Sequence, residues 1–205
     1  KNYAVTLTLV PCTTLFRSLG SKVNRGLVKA YVRHVDPDLV LLQGMHLAGN
    51  NCGFLGRGRY RVLAHTGFTM GSRGTGILIK RSLPLTVTKT WIDKNGSYAA
   101  LHGMWNGEAV AIMSIYLPPM LQTKGLEELG TWLAAAPESL TIIGGDFNLV
   151  HQAEVDRITS SGAPGRNDNR LRDFVQAMGL LDLWREVQPL ASQFSHASRA
   201  KRGLS

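Results

Sequence analysis

The stretch Thr141-Ile-Ile-Gly-Gly-Asp-Phe-Asn148 carries the sharpest chemical signal in the sequence. A strand-length apolar run ends in two glycines and delivers Asp146 and Asn148 two residues apart, so an extended chain sets both on one side. A carboxylate and a carboxamide so placed can orient or deprotonate a water and hold a phosphate oxygen, while the glycines let backbone approach a bulky anion. The same D-x-N pair is also an ordinary turn signal after a strand. Three other segments carry polar residues at the ends of apolar runs. Asp38-Leu-Val-Leu-Leu-Gln43 runs into Gly44-Met45-His46. Arg73-Gly-Thr-Gly-Ile-Leu-Ile-Lys80 turns on glycines into a strand, and Ser114-Ile-Tyr-Leu-Pro-Pro119 brings Tyr116 to a strand's end before two prolines. Tyr116 reads equally well as a phosphate contact and as an aromatic capping a sheet edge.

The elements that must position these residues follow from periodicity. Val23, Leu27, Ala30/Tyr31 and His34/Val35 recur at helical spacing, with Ser21 as N-cap and Pro37 as the stop. Lys22, Arg25, Lys29 and Arg33 line the other face, either as a solvated stripe or as phosphate contacts. Asp38–Gln43 reads as a buried strand, and further strands are predicted at Gly76–Lys80, Leu85–Trp91, Tyr98–Trp105, Ala109–Tyr116 and Leu140–Ile143. Leu126, Leu129, Leu133 and Ala136 define a second helix. Leu171, Phe174, Val175 and Met178 define a third, closed by Gly179. Hairpin-like strands mixed with returning helices predict an α/β layered sandwich with helices outside two sheets. Trp91, Trp105, Trp132 and Trp184 fall within these patterns and read as core. Gly71–Gly76 lacks the Lys-Ser/Thr of a nucleotide-binding loop and reads as a mobile surface loop, with Arg73 a possible phosphate contact. Asp156, Asp168 and Asn169 lie in or near a long polar loop that ends in a helix cap.

Composition narrows the class. A chain of 205 residues with 44% hydrophobic content supports one domain with one core. Lys and Arg number 23 against 14 Asp and Glu, a net charge of +9, which points to a polyanionic partner such as nucleic acid or an anionic membrane surface. Cys12 and Cys52 are too few for a disulfide scaffold and lack zinc-site spacing, so a reducing compartment is expected. No apolar run approaches the length of a membrane span. Residues 1–18 read as a non-native leader or sequencing artefact, because Pro11-Cys-Thr-Thr-Leu-Phe-Arg-Ser18 resembles the translation of a sequencing-adapter read; a threonine-rich first strand from Ala4 to Val10 is the alternative. The domain then spans 19–205, and its C-terminus reads as truncated.

Taken in order, QGMH, RGTGILIK, SIYLPP, IIGGDFN and LLDLWREVQP followed by QFSH resemble the endonuclease/exonuclease/phosphatase family with its DNase I-like fold. They are most similar to the apurinic-type endonuclease domain of non-LTR (LINE-type) retrotransposons, over roughly Leu19 to Ser205. The resemblance implies a four-layer α/β sandwich, with two mostly antiparallel sheets flanked by helices. It implies Mg²⁺- or Mn²⁺-dependent phosphodiester hydrolysis by an activated water, with Asp146, Asn148 and Tyr116 as catalytic residues; Arg73, Arg25 and Lys29 are candidate contacts to phosphate or DNA from their charge and placement alone. The implied partner is DNA, without a membrane. Relatives carry a reverse transcriptase domain in the same polypeptide, and the location would be intracellular, nuclear in a eukaryotic host. The departures are specific. Where the family pattern reads Gln-Glu-x-His, this chain has Gln43-Gly44-Met45-His46, so the carboxylate that holds the metal is absent, metal binding should be weak, and no metal ligand is assigned. The family's Asn before a turn like Leu19-Gly20 is replaced by Phe16-Arg17-Ser18, and its last Asp and Asp-His pair would lie beyond Ser205. His46 reads as structural and His196 as a loop residue. The expected function is a DNA-nicking endonuclease domain of a retrotransposon, impaired in this chain. The alternatives are a catalytically dead DNA-binding remnant, and a phosphoesterase of the same fold acting on a small phosphorylated or lipid substrate.

Overall fold

A computed structural model of the chain describes residues 4–5, 19, 21–47, 56, 58–67, 73–135, 138–149, 151 and 169–189. Ser21 is extended and its Oγ accepts from the Asn24 N–H at 3.0 Å, starting helix α1 (Lys22–Val35), as the sequence predicts. The helix ends at Asp36, which is left-handed, and Pro37 prevents its continuation. Strands β2 (Leu39–Leu42), β3 (Tyr60–Thr66) and β4 (Thr75–Lys80) form an antiparallel sheet in the order β2-β4-β3. Strands β5 (Leu85–Ile92), β6 (Tyr98–Trp105) and β7 (Glu108–Tyr116) form an antiparallel meander. After a short 3₁₀ turn at Pro119–Leu121, α2 (Gln122–Ala134) crosses over to β8 (Leu140–Asp146), which pairs parallel to β7. The two-residue strand β1 (Ala4–Val5) lies parallel between β8 and β9 (Leu180–Leu181), giving the order β5-β6-β7-β8-β1-β9. Helices α3 (Arg170–Ala177) and α4 (Leu183–Val187) flank β9 in sequence. Antiparallel pairings predominate, four of the seven among the described residues, while the β7-β8-β1-β9 half of the larger sheet is parallel.

Side-chain alternation builds the layers. Along β7, Val110 and Ile112 point into the gap between the sheets, where they meet Ala64, Ile77, Ile79, Leu85, Ala99 and Leu101. Ala111, Met113 and Ile115 point the other way, onto Leu126, Leu129 and Trp132 of α2 and Leu171 and Val175 of α3. On the far side of the smaller sheet, Val28 of α1 packs with Leu19, Met45, Tyr60 and Leu78. The result is the expected four-layer sandwich of helix, sheet, sheet and helices.

Several details differ from the sequence expectation. β2 is half-buried along its whole length, because it is an edge strand of its sheet. β3 was not predicted; Arg61 and His65 interrupt its apolar run, and a register shift between Val62 and Ala64 breaks the alternation. β8 continues past Ile143 through both glycines to Asp146. The described part of the Gly71–Gly76 segment is no mobile surface loop: Gly74, Thr75 and Gly76 are buried. Of the tryptophans, Trp132 is buried, whereas Trp91, Trp105 and Trp184 are half-buried. Trp91 lies under Lys89 Nζ at 4.6 Å and stacks edge-on to His102 at 4.3 Å, and His102 in turn leans on Trp132 at 5.4 Å. Of the segment 1–18 only Ala4–Val5 is described, as β1; Cys12, Cys52, Asp156, Asp168 and His196 lie outside the described residues. Asn169 occupies the cap position of α3, but its side chain makes no capping hydrogen bond.

Two predictions arise from this packing. A Cβ on Gly145 would collide with the Ile115 carbonyl oxygen, whereas Gly107, also at positive φ, has open space around it. Gly145→Ala is therefore expected to cost about 3 kcal/mol or more, and Gly107→Ala only about 1–2 kcal/mol, read as urea unfolding free energies. Equal losses would mean that the β7/β8 approach is not tight. Burial, reinforced by the Lys89 charge, holds the His102 imidazole below its ordinary pKa, and burial alone does the same for His65. The unfolded chain therefore takes up protons first, and stability should fall as pH drops below about 6.5. His102→Phe should flatten that decline in urea midpoints measured from pH 7.5 to 5; an unchanged slope would rule His102 out as its source.

Candidate active site

Tyr116 and Asp146 are register partners across the parallel β7/β8 ladder, at the carboxyl ends of both strands, the edge at which α/β sheets present ligand sites. The ladder continues one step further, with the Leu117 N–H donating to the Asp146 carbonyl at 2.8 Å. The chain then turns. The Asn148 N–H donates to Asp146 Oδ1 at 3.0 Å, and Asn148 Nδ2 donates to the Leu117 carbonyl at 2.9 Å. Asn148 is left-handed, with φ 49°, a conformation asparagine tolerates better than most residues. The turn occupies Oδ1 of Asp146 and one N–H of the Asn148 carboxamide; among the described residues the other oxygen and the other N–H have no hydrogen-bond partner.

The smaller sheet is bonded to this end of β7. At the end of β2, Gln43 Nε2 donates to Ser114 Oγ at 3.1 Å, and Ser114 Oγ donates to the Leu42 carbonyl at 2.9 Å, tying the two sheets together two residues before Tyr116. Gly44 and His46 then adopt positive φ on either side of the fully buried Met45. The Met45 N–H donates to the Gly74 carbonyl at 3.1 Å and the His46 N–H to the Arg73 carbonyl at 2.7 Å, so residues 45–46 zip onto the glycine turn before β4. That turn is bound in its own right to the β5–β6 hairpin. The Gly74 N–H donates to the Gly96 carbonyl at 3.1 Å, and Arg73 Nη1 reaches the Asn95 carbonyl at 3.4 Å. Asp93 folds the hairpin by accepting from the N–H groups of Asn95 and Ser97, and the Ser97 carbonyl accepts from the Tyr116 N–H at 2.6 Å.

Asp146, Asn148 and Tyr116 thus lie together, and the Arg73 backbone joins the same network; the strand stops at Asp146, so a left-handed turn and not the period of an extended chain places Asn148. Arg25 and Lys29 lie elsewhere, on α1 in the outermost layer. Lys29 stands with Arg33 and Arg59 on the rim of a cleft of about 480 Å³ whose floor includes Val32, Leu42 and Leu78. Sequence reasoning passed over Ser114, Thr75, Ser97 and Gln122. The hydroxyls of Thr75 and Ser97 are buried without a hydrogen-bond partner among the described residues. An Asn95-Gly96 hairpin signal was there to be read for Ser97; Gln122 has no local signature. Gly44 offers no donor, and no group of three or more His, Cys, Asp or Glu side chains that could hold a metal ion occurs among the described residues. The donors described do not fit a preformed site for a hard divalent cation, which wants several oxygens.

This edge, on a four-layer sandwich, is the arrangement of a phosphoesterase-type fold. The chain belongs to the endonuclease/exonuclease/phosphatase family, whose model matches residues 17–187. Its fold is similar to that of an AP endonuclease from Archaeoglobus fulgidus, with a TM-score of 0.67 at 15% identity, covering 92% of this chain and 77% of that one. It is also similar to the endonuclease domain of TRAS1, a telomere-specific non-LTR retrotransposon, with a TM-score of 0.55 at 14% identity, covering 79% of this chain and 68% of that one. A humanized D. rerio TDP2 matches at a TM-score of 0.46 and 18% identity over 72% of this chain, which spans 65% of that chain's length.

The bond between the sheets is testable. Ser114→Ala strands the Gln43 carboxamide and the Leu42 carbonyl, and should lower unfolding free energy by about 1–3 kcal/mol in chemical denaturation. A neutral result would show that these bonds do not hold the sheets together.

Proposed function

We propose that the strand-end edge binds a nucleic-acid phosphodiester and that the chain is the DNA-nicking endonuclease domain of a non-LTR retrotransposon, impaired in cleavage. The observation that carries this reading is the in-register pair Tyr116–Asp146 with Asn148 pinned beside it. Tyr116 Oη and the free Asn148 N–H would donate to phosphate oxygens, and Asp146 Oδ2 would orient the attacking water or take its proton. Arg73 and the net charge of +9 supply attraction to a polyanion. A divalent metal such as Mg²⁺ or Mn²⁺ would supply polarisation of the phosphoryl oxygen, but with Gly44 where the family pattern has Glu the described donors do not fit it, and the residues are left to bind and orient. Among the described residues no helix is long and apolar enough to cross a membrane. A second reading, a remnant that grips DNA without cutting, is favoured by the same Gly44. Restoring a carboxylate there meets a constraint: a Cβ on Gly44 has space, its nearest neighbour being His46 Nε2 at 3.7 Å, but the φ of 56° costs an L residue about 1–2 kcal/mol.

Nicking of supercoiled plasmid with Mg²⁺, and in parallel with Mn²⁺, tests both readings. The chain and Asp146→Ala are expected near background, with Gly44→Glu raising the rate by about tenfold or more at some loss of thermal stability. Binding to duplex DNA should weaken steeply with salt in all three proteins. Robust nicking by the chain, lost in Asp146→Ala, would remove the impairment. Nicking absent from all three, with salt-dependent binding retained, would leave the DNA-gripping remnant, and absence of binding would end the nucleic-acid reading.

A further inference from the structure

Helix α2 begins at Gln122 without a side-chain cap at its N-terminus, and the Gln122 side chain is spent elsewhere. Gln122 is only 7% exposed, and a buried primary amide needs partners at both ends. It has them. Nε2 donates to the Asn148 carbonyl at 2.7 Å, and Oε1 accepts from Arg170 Nη2 at 2.9 Å. Arg170, the first residue of α3, also reaches Thr123 Oγ1 through Nη1 at 3.3 Å.

Asn148 is therefore held on three sides. Its N–H is bonded to Asp146 and its carboxamide to Leu117, both at the exits of β7 and β8. Its carbonyl is the one group in this set tied to the helical layer, through Gln122. A left-handed asparagine has an alternative, relaxation to a right-handed or extended backbone, and that relaxation swings both the peptide plane that follows and the side chain. The bond from Gln122 opposes it by fixing the carbonyl. It is a 2.7 Å bond from a side chain that is itself oriented by a guanidinium, whose positive charge polarises the amide and strengthens its N–H as a donor.

We propose that Gln122 is a positioning residue for Asn148, holding its backbone in the conformation that aims the carboxamide at the ligand, with Arg170 setting Gln122 in turn. The inference rests on the reading of Asn148 as a phosphate contact, and it makes the start of α3 part of the site's geometry.

The test reads Asn148 directly, with no need of turnover. In ¹⁵N-labelled chain, the Asn148 carboxamide resonances are assigned by their loss in Asn148→Ala. Gln122→Met keeps the shape and removes both bonds; Arg170→Ala, at an exposed position, leaves the Gln122–Asn148 bond in place and removes the link to Gln122 along with Arg170's other bonds, that to Thr123 among them. Exchange of the Asn148 carboxamide protons with water is expected to quicken about five- to tenfold in Gln122→Met and by less in Arg170→Ala, while the Gln43 and Asn95 carboxamides stay as they were. In the double variant, Arg170→Ala should add nothing to Gln122→Met. Equal quickening at all three carboxamides would mean general loosening and overturn the proposal, as would an Asn148 signal unchanged in both variants. Should Gln122→Met fail to fold, Arg170→Ala decides alone. Adding a short duplex oligonucleotide to the unmutated chain separates the two claims: an Asn148 carboxamide that does not shift overturns the phosphate reading, while the exchange rates still decide the positioning role.

Discussion

The structure depends on how closely β8 runs beside β7. Parallel pairing at this point requires the Ile115 carbonyl to occupy the space where a side chain at residue 145 would begin, and only glycine permits it. From that approach follow the register that sets Tyr116 against Asp146, the position of the turn that folds Asn148 back onto Leu117, and the crossover that lays α2 over Met113 and Ile115. The edge that carries the candidate residues and the outer core are two faces of one strand pairing.

Between the sheets, chemistry changes along the strands. Over most of their length the gap is filled by Ile77, Ile79, Leu101 and Ile112, and nothing polar is needed. At the end that carries Tyr116 and Asp146, the inward positions become Thr75, Ser97, Ser114 and Gln43. This polar band is only partly self-satisfied: Gln43 and Ser114 bond to one another, whereas Thr75 and Ser97 leave hydroxyls without partners among the described residues. Buried hydroxyls without partners destabilise a fold, and here both lie near the strand ends that carry the candidate residues.

What could be read in the sequence was what is encoded locally. Ser21 and Pro37 bracket α1 because capping and the loss of a backbone donor act within one turn, and the GGDFN segment was legible because glycine, carboxylate and amide sit within five residues. β3 escaped because its bulge and its Arg61 and His65 erase period two. The burial of β2 was overread, since a continuous apolar run signals a strand covered on both faces but says nothing of whether it lies at an edge. Gln122 could not be found at all: its partners Asn148 and Arg170 are distant in sequence, and a glutamine beginning a helix is ordinary.

The two halves of the larger sheet differ in how far apart in the chain their neighbours lie. β5, β6 and β7 are joined by tight turns, and each finds its partner almost as soon as it exists. The other half has to wait, because β8 needs the whole of α2 before it can pair, and β1 needs both β8 and β9, at the opposite end of the described chain. On a ribosome, the meander can be complete while the slot between β8 and β9 does not yet exist. Loop closure then sets the parallel half after the meander, and Asp146 and Asn148 are fixed against Tyr116 and Leu117 only once β8 has paired with β7.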